Sequence, residues 1–301
     1  MVVSNYPNWP RIFTQIGKLL VTCLVLSLVA LILDWRGHVL RYITVPETIV
    51  SVLGAALGIL LAFRTNSAYA RWWEARTLWG AMVNQSRSLA RQVVSFPRPD
   101  APESATFSRT ILYRQIAFVN ATRCALRKQA ILPEIAPWLD EPTVRYLSQM
   151  QNVPDALLGL MGRQLREALD QRLIDQWQQQ RIDQTLSELS NVLGACERIK
   201  NTPLPRQYDY YPELFIKAYC FILPFIIVDD VGLATPAVTV LTAFAFLVLN
   251  RIGKNLEDPF ENQPYDIPIT ALCRTIEINI RQGLGESDVP QPLALQNGVL
   301  M

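Results

Sequence analysis

The sequence predicts an all-α membrane protein, with four membrane-spanning helices and a water-exposed helical bundle between the second and third. Three observations carry this prediction. Several long stretches hold almost no charge, whereas the middle of the chain is dense in Arg, Glu, Asp and Gln. Within that polar middle, apolar side chains recur at helical spacing, as at Phe107, Ile111, Phe118 and Leu126. No segment alternates polar and apolar residues as a strand would, and no fixed-period repeat is present.

Composition excludes several classes of function. Half of the 301 residues are apolar, and 28 basic side chains nearly balance 26 acidic ones, which gives no reason to expect nucleic acid as a partner. Cys23, Cys124, Cys196, Cys220 and Cys273 are scattered without a C-x-x-C pair. Buried free thiols are expected, not a disulfide framework or a zinc site. With His38 as the sole histidine, no H-E-x-x-H, no nucleophile motif and no Gly-rich phosphate loop, neither an enzyme nor a cofactor is expected.

The first apolar run, Leu19 to Leu33, lies between Arg11 and Lys18 on one side and Asp34 on the other. No small-x-small cleavage site follows, so it reads as a retained membrane helix and not as a signal peptide. Counting Ile16 and Gly17, it reaches the length of about 17 to 25 residues that spans a bilayer. The second run starts near Val45-Pro46 and passes through Ile49 to Phe63, where Arg64 ends it. Pro46 suits a first helical turn, and Glu47 complements the positive end of the helix dipole.

From Arg64 to about Lys200 the chain is polar with helical periodicity, broken at Phe96 to Pro102 and around Pro133 to Pro142. This block reads as a cytosolic helical bundle continuous with the membrane helices. The third apolar run, Leu214 to Val228, contains Lys217 and Pro224; the fourth, Val231 to Leu249, is cleaner. Asp229-Asp230 separate them. Two carboxylates at membrane depth are costly, so this pair marks a turn between helices. The segment from Gly283 onward, rich in Gly, Pro, Gln and Asn, reads as a poorly ordered tail.

The expected divisions are therefore residues 1–64 (first two membrane helices), 65–210 (cytosolic helices), 211–250 (third and fourth membrane helices), 251–282 (a cytosolic helical return) and 283–301 (the tail). Basic residues cluster beside the cytosolic block: Arg11 and Lys18, Arg64, Arg71 and Arg76, Arg251 and Lys254. The connection from Asp34 to Glu47 is nearly neutral and the turn after the third helix is acidic. By the positive-inside rule, both termini and the middle block are cytoplasmic.

The second membrane helix carries two stripes. Gly54, Gly58 and Ala62 form a small-residue seam four residues apart, which either admits a neighbouring helix or reflects the abundance of Gly and Ala in membranes. Ala55, Ile59 and Phe63 lie beside it. From periodicity this stripe faces either lipid or a central axis, and lipid is the commoner fate. Around an axis it would form an apolar constriction that gates by wetting and dewetting. Beyond it, Trp72-Trp73 between arginines reads in part as an interfacial belt.

Phe63-Arg64-Thr65-Asn66, Arg71-Trp72-Trp73-Glu74-Ala75-Arg76 and Trp79-Gly80 resemble the bestrophin family, in its bacterial branch. Cys196-Glu197-Arg198-Ile199, Asn201-Thr202-Pro203-Leu204-Pro205 and Glu257-Asp258-Pro259-Phe260-Glu261 agree in order and spacing, so the resemblance spans most of the chain. It implies an ion channel of the bacterial inner membrane, a homopentamer around a central pore that passes small monovalent ions. It also implies a neck lined by Ala55, Ile59 and Phe63, Ala55 being smaller than the residue usual there. A second, cytosolic aperture falls nearest to Ile182, which sequence alone reads as an ordinary core isoleucine.

Animal members open on calcium bound at an acidic cluster. At the matching positions only Asp266 keeps a carboxylate, preceded by Asn255 and Asp258 with altered chemistry. Calcium takes about six to eight oxygen ligands, so only a weak remnant of the clasp is expected, without calcium gating. An apolar neck does not choose the sign of the ion; charges at its mouths do. Asp229 and Asp230 tilt the expectation toward cations if they border the outer vestibule, and otherwise form a solvated turn. The alternative function is a non-conducting membrane adaptor or receptor. Its cytosolic helices would bind a partner through the charged run Asp170 to Asp183, although such a run is more often a solvated face.

Overall fold

The computed structural model describes residues 9–37, 46–295 and 298–300. The near-neutral connection that carries His38 lies largely in 38–45, outside the described residues. Among the described residues the chain forms ten α-helices, two 3-10 turns and no strand. The helices are α1 (Trp9–Gly37), α2 (Glu47–Ser95), α3 (Glu103–Leu126), α4 (Leu132–Ile135), α5 (Glu141–Leu147), α6 (Val153–Asp170), α7 (Gln176–Asn201), α8 (Gln207–Val231), α9 (Thr235–Glu257) and α10 (Ile269–Gly283).

The chain divides into two compact units: Ser4–Arg71 with Pro203–Asp258, and Trp72–Thr202 with Pro259–Met301. Packing changes after Arg71, Thr202 and Asp258. The first of these points lies inside α2. Arg64 ends the apolar composition of α2 but not the helix, which runs for 49 residues, roughly 74 Å at the α-helical rise.

The first unit is built from α1, the first half of α2, α8 and α9. Three stretches, Ile12–Trp35, Thr48–Ser95 and Gln207–Glu257, are long and apolar enough to cross a membrane. The third holds two helices, because the chain turns at Gly232, whose φ of +55° suits glycine. The two run antiparallel: Lys254 near the end of α9 bonds Glu213 near the start of α8 at 2.6 Å. Midway, the Tyr219 and Phe246 rings meet edge to face with centroids 5.4 Å apart. Ile16, Leu20 and Cys23 of α1, Leu57 and Leu61 of α2, Ile216 and Cys220 of α8, and Ala243 and Leu247 of α9 form the core. Val21, Val25 and Ile32 of α1 are exposed, as befits a helix whose outer face meets an apolar solvent.

In the second unit the spaced apolar residues Phe107, Ile111, Phe118 and Leu126 of α3 are all buried, together with Trp79, Leu89 and Val93 of α2. The start of α7 is fixed by a capping box. The Asp175 carboxylate accepts from the Gln178 backbone N–H at 2.8 Å, and the Gln178 side chain accepts from the Asp175 N–H at 2.9 Å. The segment after Gly283 departs from a loose tail at its start. Leu284 packs against the core, and Glu286 accepts hydrogen bonds from the Tyr113 hydroxyl at 2.7 Å and from Arg281 Nε at 2.6 Å.

Candidate pore-lining helix

The first half of α2 presents two opposite faces. Leu57, Leu61, Arg64 and Ala68 are buried and lie on one side, as helical steps of about 100° per residue require. Ile59 is 59% exposed and Phe63 66%. With exposed Val52 and Ala55 they form an apolar stripe on the far side, which turns polar at exposed Asn66. The small-residue seam is used at one position. A side chain at Gly54 would start 2.9 Å from the Tyr219 hydroxyl of α8, so the tyrosine would have to shift to admit one. Gly58 faces open space and Ala62 is exposed.

Arg64 sets the rotation of this helix. It is 1% exposed, and its guanidinium donates to the Asn250 side-chain oxygen of α9 and, at 2.5 Å, to the Asp209 carboxylate of α8. Glu257 lies 3.6 Å away. Lys254 extends the network, 3.4 Å from Asp209 and 2.6 Å from Glu213, which Lys217 also reaches at 2.8 Å. A buried guanidinium without such partners would be very costly. Holding Arg64 inward therefore decides which side of α2 carries Ile59 and Phe63. Sequence reading placed Arg64 at the end of the apolar run, among the basic residues beside the cytosolic block and in the Phe63-Arg64-Thr65-Asn66 motif, but assigned it no partner. The available signal was a charge directly after a long uncharged stretch, whose partners lie far along the chain.

Asp229 and Asp230 are both exposed, in the last turn of α8 just before the Gly232 turn. Asn255 and Asp258 are half-buried at the end of α9. Asp266 is buried and closes a tight turn: its Oδ2 accepts from the Gln263 N–H at 2.8 Å, and its own N–H donates to the Gln263 carbonyl at 3.0 Å. Among the described residues, no three His, Cys, Asp or Glu side chains converge as a metal site would need.

Ile182 is fully buried in the core of the second unit, so in the single chain its side chain is committed to packing. The first turn of α7 exposes Trp177 instead, at 77%.

Three of the separated segments that carry the resemblance contribute residues that pair or pack within the second unit. Trp72 Nε1 donates to the Tyr265 carbonyl at 3.1 Å, Arg198 pairs with Glu74 at 2.5 Å, and Lys200 pairs with Glu261. Phe260 is fully buried beside them in the same core.

Comparison with known proteins agrees with this arrangement. Residues 9–282 match the family model described as bacterial/fungal bestrophin protein. The voltage-dependent anion channel-forming protein sll1024 of Synechocystis sp. is 34% identical over 291 residues, covering 92% of this chain and 94% of its own. The voltage-dependent anion channel-forming protein YneE of Escherichia coli (strain K12) is 32% identical over 300 residues, covering 96% of each. A crystal structure of a mutated bacterial bestrophin homologue from Klebsiella pneumoniae superposes with a TM-score of 0.85 at 30% identity, covering 90% of this chain and all of that one.

Proposed function

This chain belongs to the bacterial and fungal bestrophin family, and from that premise we propose that it is one subunit of a channel for small monovalent ions. Five copies surround a central pore in the inner membrane, with both termini cytoplasmic. The neck is lined by Ala55, Ile59 and Phe63 of each copy. One observation supports this most: α2 buries Leu57, Leu61 and Arg64 against its own chain and leaves the opposite apolar stripe exposed. A ring of such stripes is a constriction without fixed charge. Calcium does not gate the channel, since the Asp266 carboxylate is engaged in its own turn.

The names of the relatives favour anions as the permeant species, in place of the cations expected from the acidic pair. A second reading, cation passage, is favoured by the exposure of both Asp229 and Asp230 at one end of α8, where a ring of carboxylates would concentrate cations.

Reversal potentials in planar bilayers under asymmetric chloride salts test these readings. Anion passage moves the potential toward the chloride equilibrium value and leaves it there in Asp229→Asn with Asp230→Asn. Movement toward the cation value, lost in that double variant, establishes the second reading. Ile59→Ala with Phe63→Ala raises conductance if these side chains form the neck; unchanged conductance removes that assignment. Silent bilayers favour the adaptor, and the mass of the detergent-solubilised particle checks for five subunits.

A further inference from the structure

A cavity of about 290 Å³ opens between α1, α8 and α9, all within the first unit. Its polar side is strongly basic: Lys18, Lys217, Arg251 and Lys254 line it against the single carboxylate of Glu213. That carboxylate already serves Lys217 and Lys254. Arg251 donates Nε to the Gln15 side chain at 2.7 Å, and neither Arg251 nor Lys18 has a carboxylate partner among the described residues. Ile16, Leu19, Ile216 and Leu247 supply its apolar lining. Lys18 directly precedes the apolar run of α1, and Arg251 follows that of α9. The cavity thus sits where hydrocarbon gives way to headgroups, and its lining combines excess positive charge with apolar side chains.

We propose that this cavity binds the phosphate headgroup of an anionic phospholipid, with Arg251 and Lys18 as its principal cationic contacts. A guanidinium offers paired donors to phosphate oxygens while Nε stays on Gln15. Basic pockets between membrane helices hold anionic headgroups by this chemistry. The acyl chains lie along the exposed apolar face of α1, at Val21, Val25 and Leu28. The apolar lining and the exposed face of α1 select a lipid over a free anion, which would leave both unused. The inference rests on the membrane reading of α1, α8 and α9 and holds whichever ion the channel passes.

Calorimetric titration of the full-length chain in neutral detergent tests this, using short-chain phosphatidylglycerol, short-chain phosphatidylcholine and inorganic phosphate as separate probes. Phosphatidylglycerol is expected to bind, with phosphatidylcholine and phosphate far weaker. Lys18→Gln with Arg251→Gln should weaken phosphatidylglycerol binding roughly tenfold or more. Lys18→Arg with Arg251→Lys should retain most of it, and Arg145→Gln with Arg166→Gln, charges removed elsewhere, should leave it unchanged. Should the double Gln variant fail to fold, Lys18→Gln alone, at an exposed position, is expected to weaken binding by roughly fivefold. Undiminished binding in the Gln variants overturns the proposal. So does inorganic phosphate binding as tightly as the lipid, which makes the site one for free anions, or equal binding of phosphatidylcholine.

Discussion

The guanidinium of Arg64, buried on α2, donates to the carboxylate of Asp209 on α8 at 2.5 Å, and with Asn250 and Glu257 of α9 it joins three membrane helices at one point. Arg64→Ala leaves the two carboxylates and the amide facing a void. Breaking a buried pair costs about 3–5 kcal/mol; with Asp209 half exposed, a loss of about 2–3 kcal/mol is expected. Arg64→Lys recovers only part, since one ammonium does not reach Asn250 and Asp209 with the same fork. Thermal unfolding in detergent reads both, and a wild-type midpoint for Arg64→Ala would remove the network from the account.

Neighbouring positions on α2 should differ sharply. Leu61 is buried and Phe63 exposed, so Leu61→Ala is expected to lose about 2–5 kcal/mol, whereas Phe63→Ala stays within about 0.5 kcal/mol. Conductance should respond in the opposite order, to Phe63 before Leu61. Parallel melting curves and single-channel recordings decide this.

Ile182→Val removes one methyl group from a closed core. A cost of about 0.5–1.5 kcal/mol is expected, with single-channel conductance unchanged. A conductance change without a stability change would return Ile182 to the pore.

All five thiols are buried. Burial pushes the Cys196 and Cys273 thiols up to about 12, so at neutral pH both are protonated and unreactive. Maleimide labelling of the folded protein should be slow at every cysteine and complete after denaturation. Rapid labelling of Cys196 or Cys273 in folded protein would contradict the packing of α7 or α10.

Glu286 should make the end of α10 sensitive to acid. Burial pushes its carboxyl up, but hydrogen bonds from Tyr113 and Arg281, with the charges of Arg281 and Arg109, together hold it below its ordinary value. A carboxyl lowered in the folded state contributes stability that is present above the unfolded value and lost as pH falls through the folded one. The protection factor for hydrogen exchange at the α10 C-terminus should therefore fall in acid. Tyr113→Phe, which removes one donor, should shrink that dependence; an identical pH profile in the variant would show that the hydroxyl contributes nothing.

The long uncharged runs are legible because crossing hydrocarbon demands local properties of one segment: length, apolarity, and a charged pair such as Asp229-Asp230 near where the chain reverses. The polar helices were legible for a similar reason, since a buried stripe such as Phe107, Ile111 and Phe118 repeats with the helical turn. Local pattern does not say which partner a face meets. Ile59 and Leu61 are alike as residues, yet one is exposed and the other buried, because the remote Asp209 and Asn250 hold Arg64 inward and so turn the helix. The burial of Ile182 is also set by the packing of α7 in the core of the second unit. The basic cavity likewise draws Lys18, Lys217 and Arg251 from three separated helices, so it exists only once they pack. Composition thus determined the elements and their solvent, and tertiary contacts between distant charges and side chains decided their orientation.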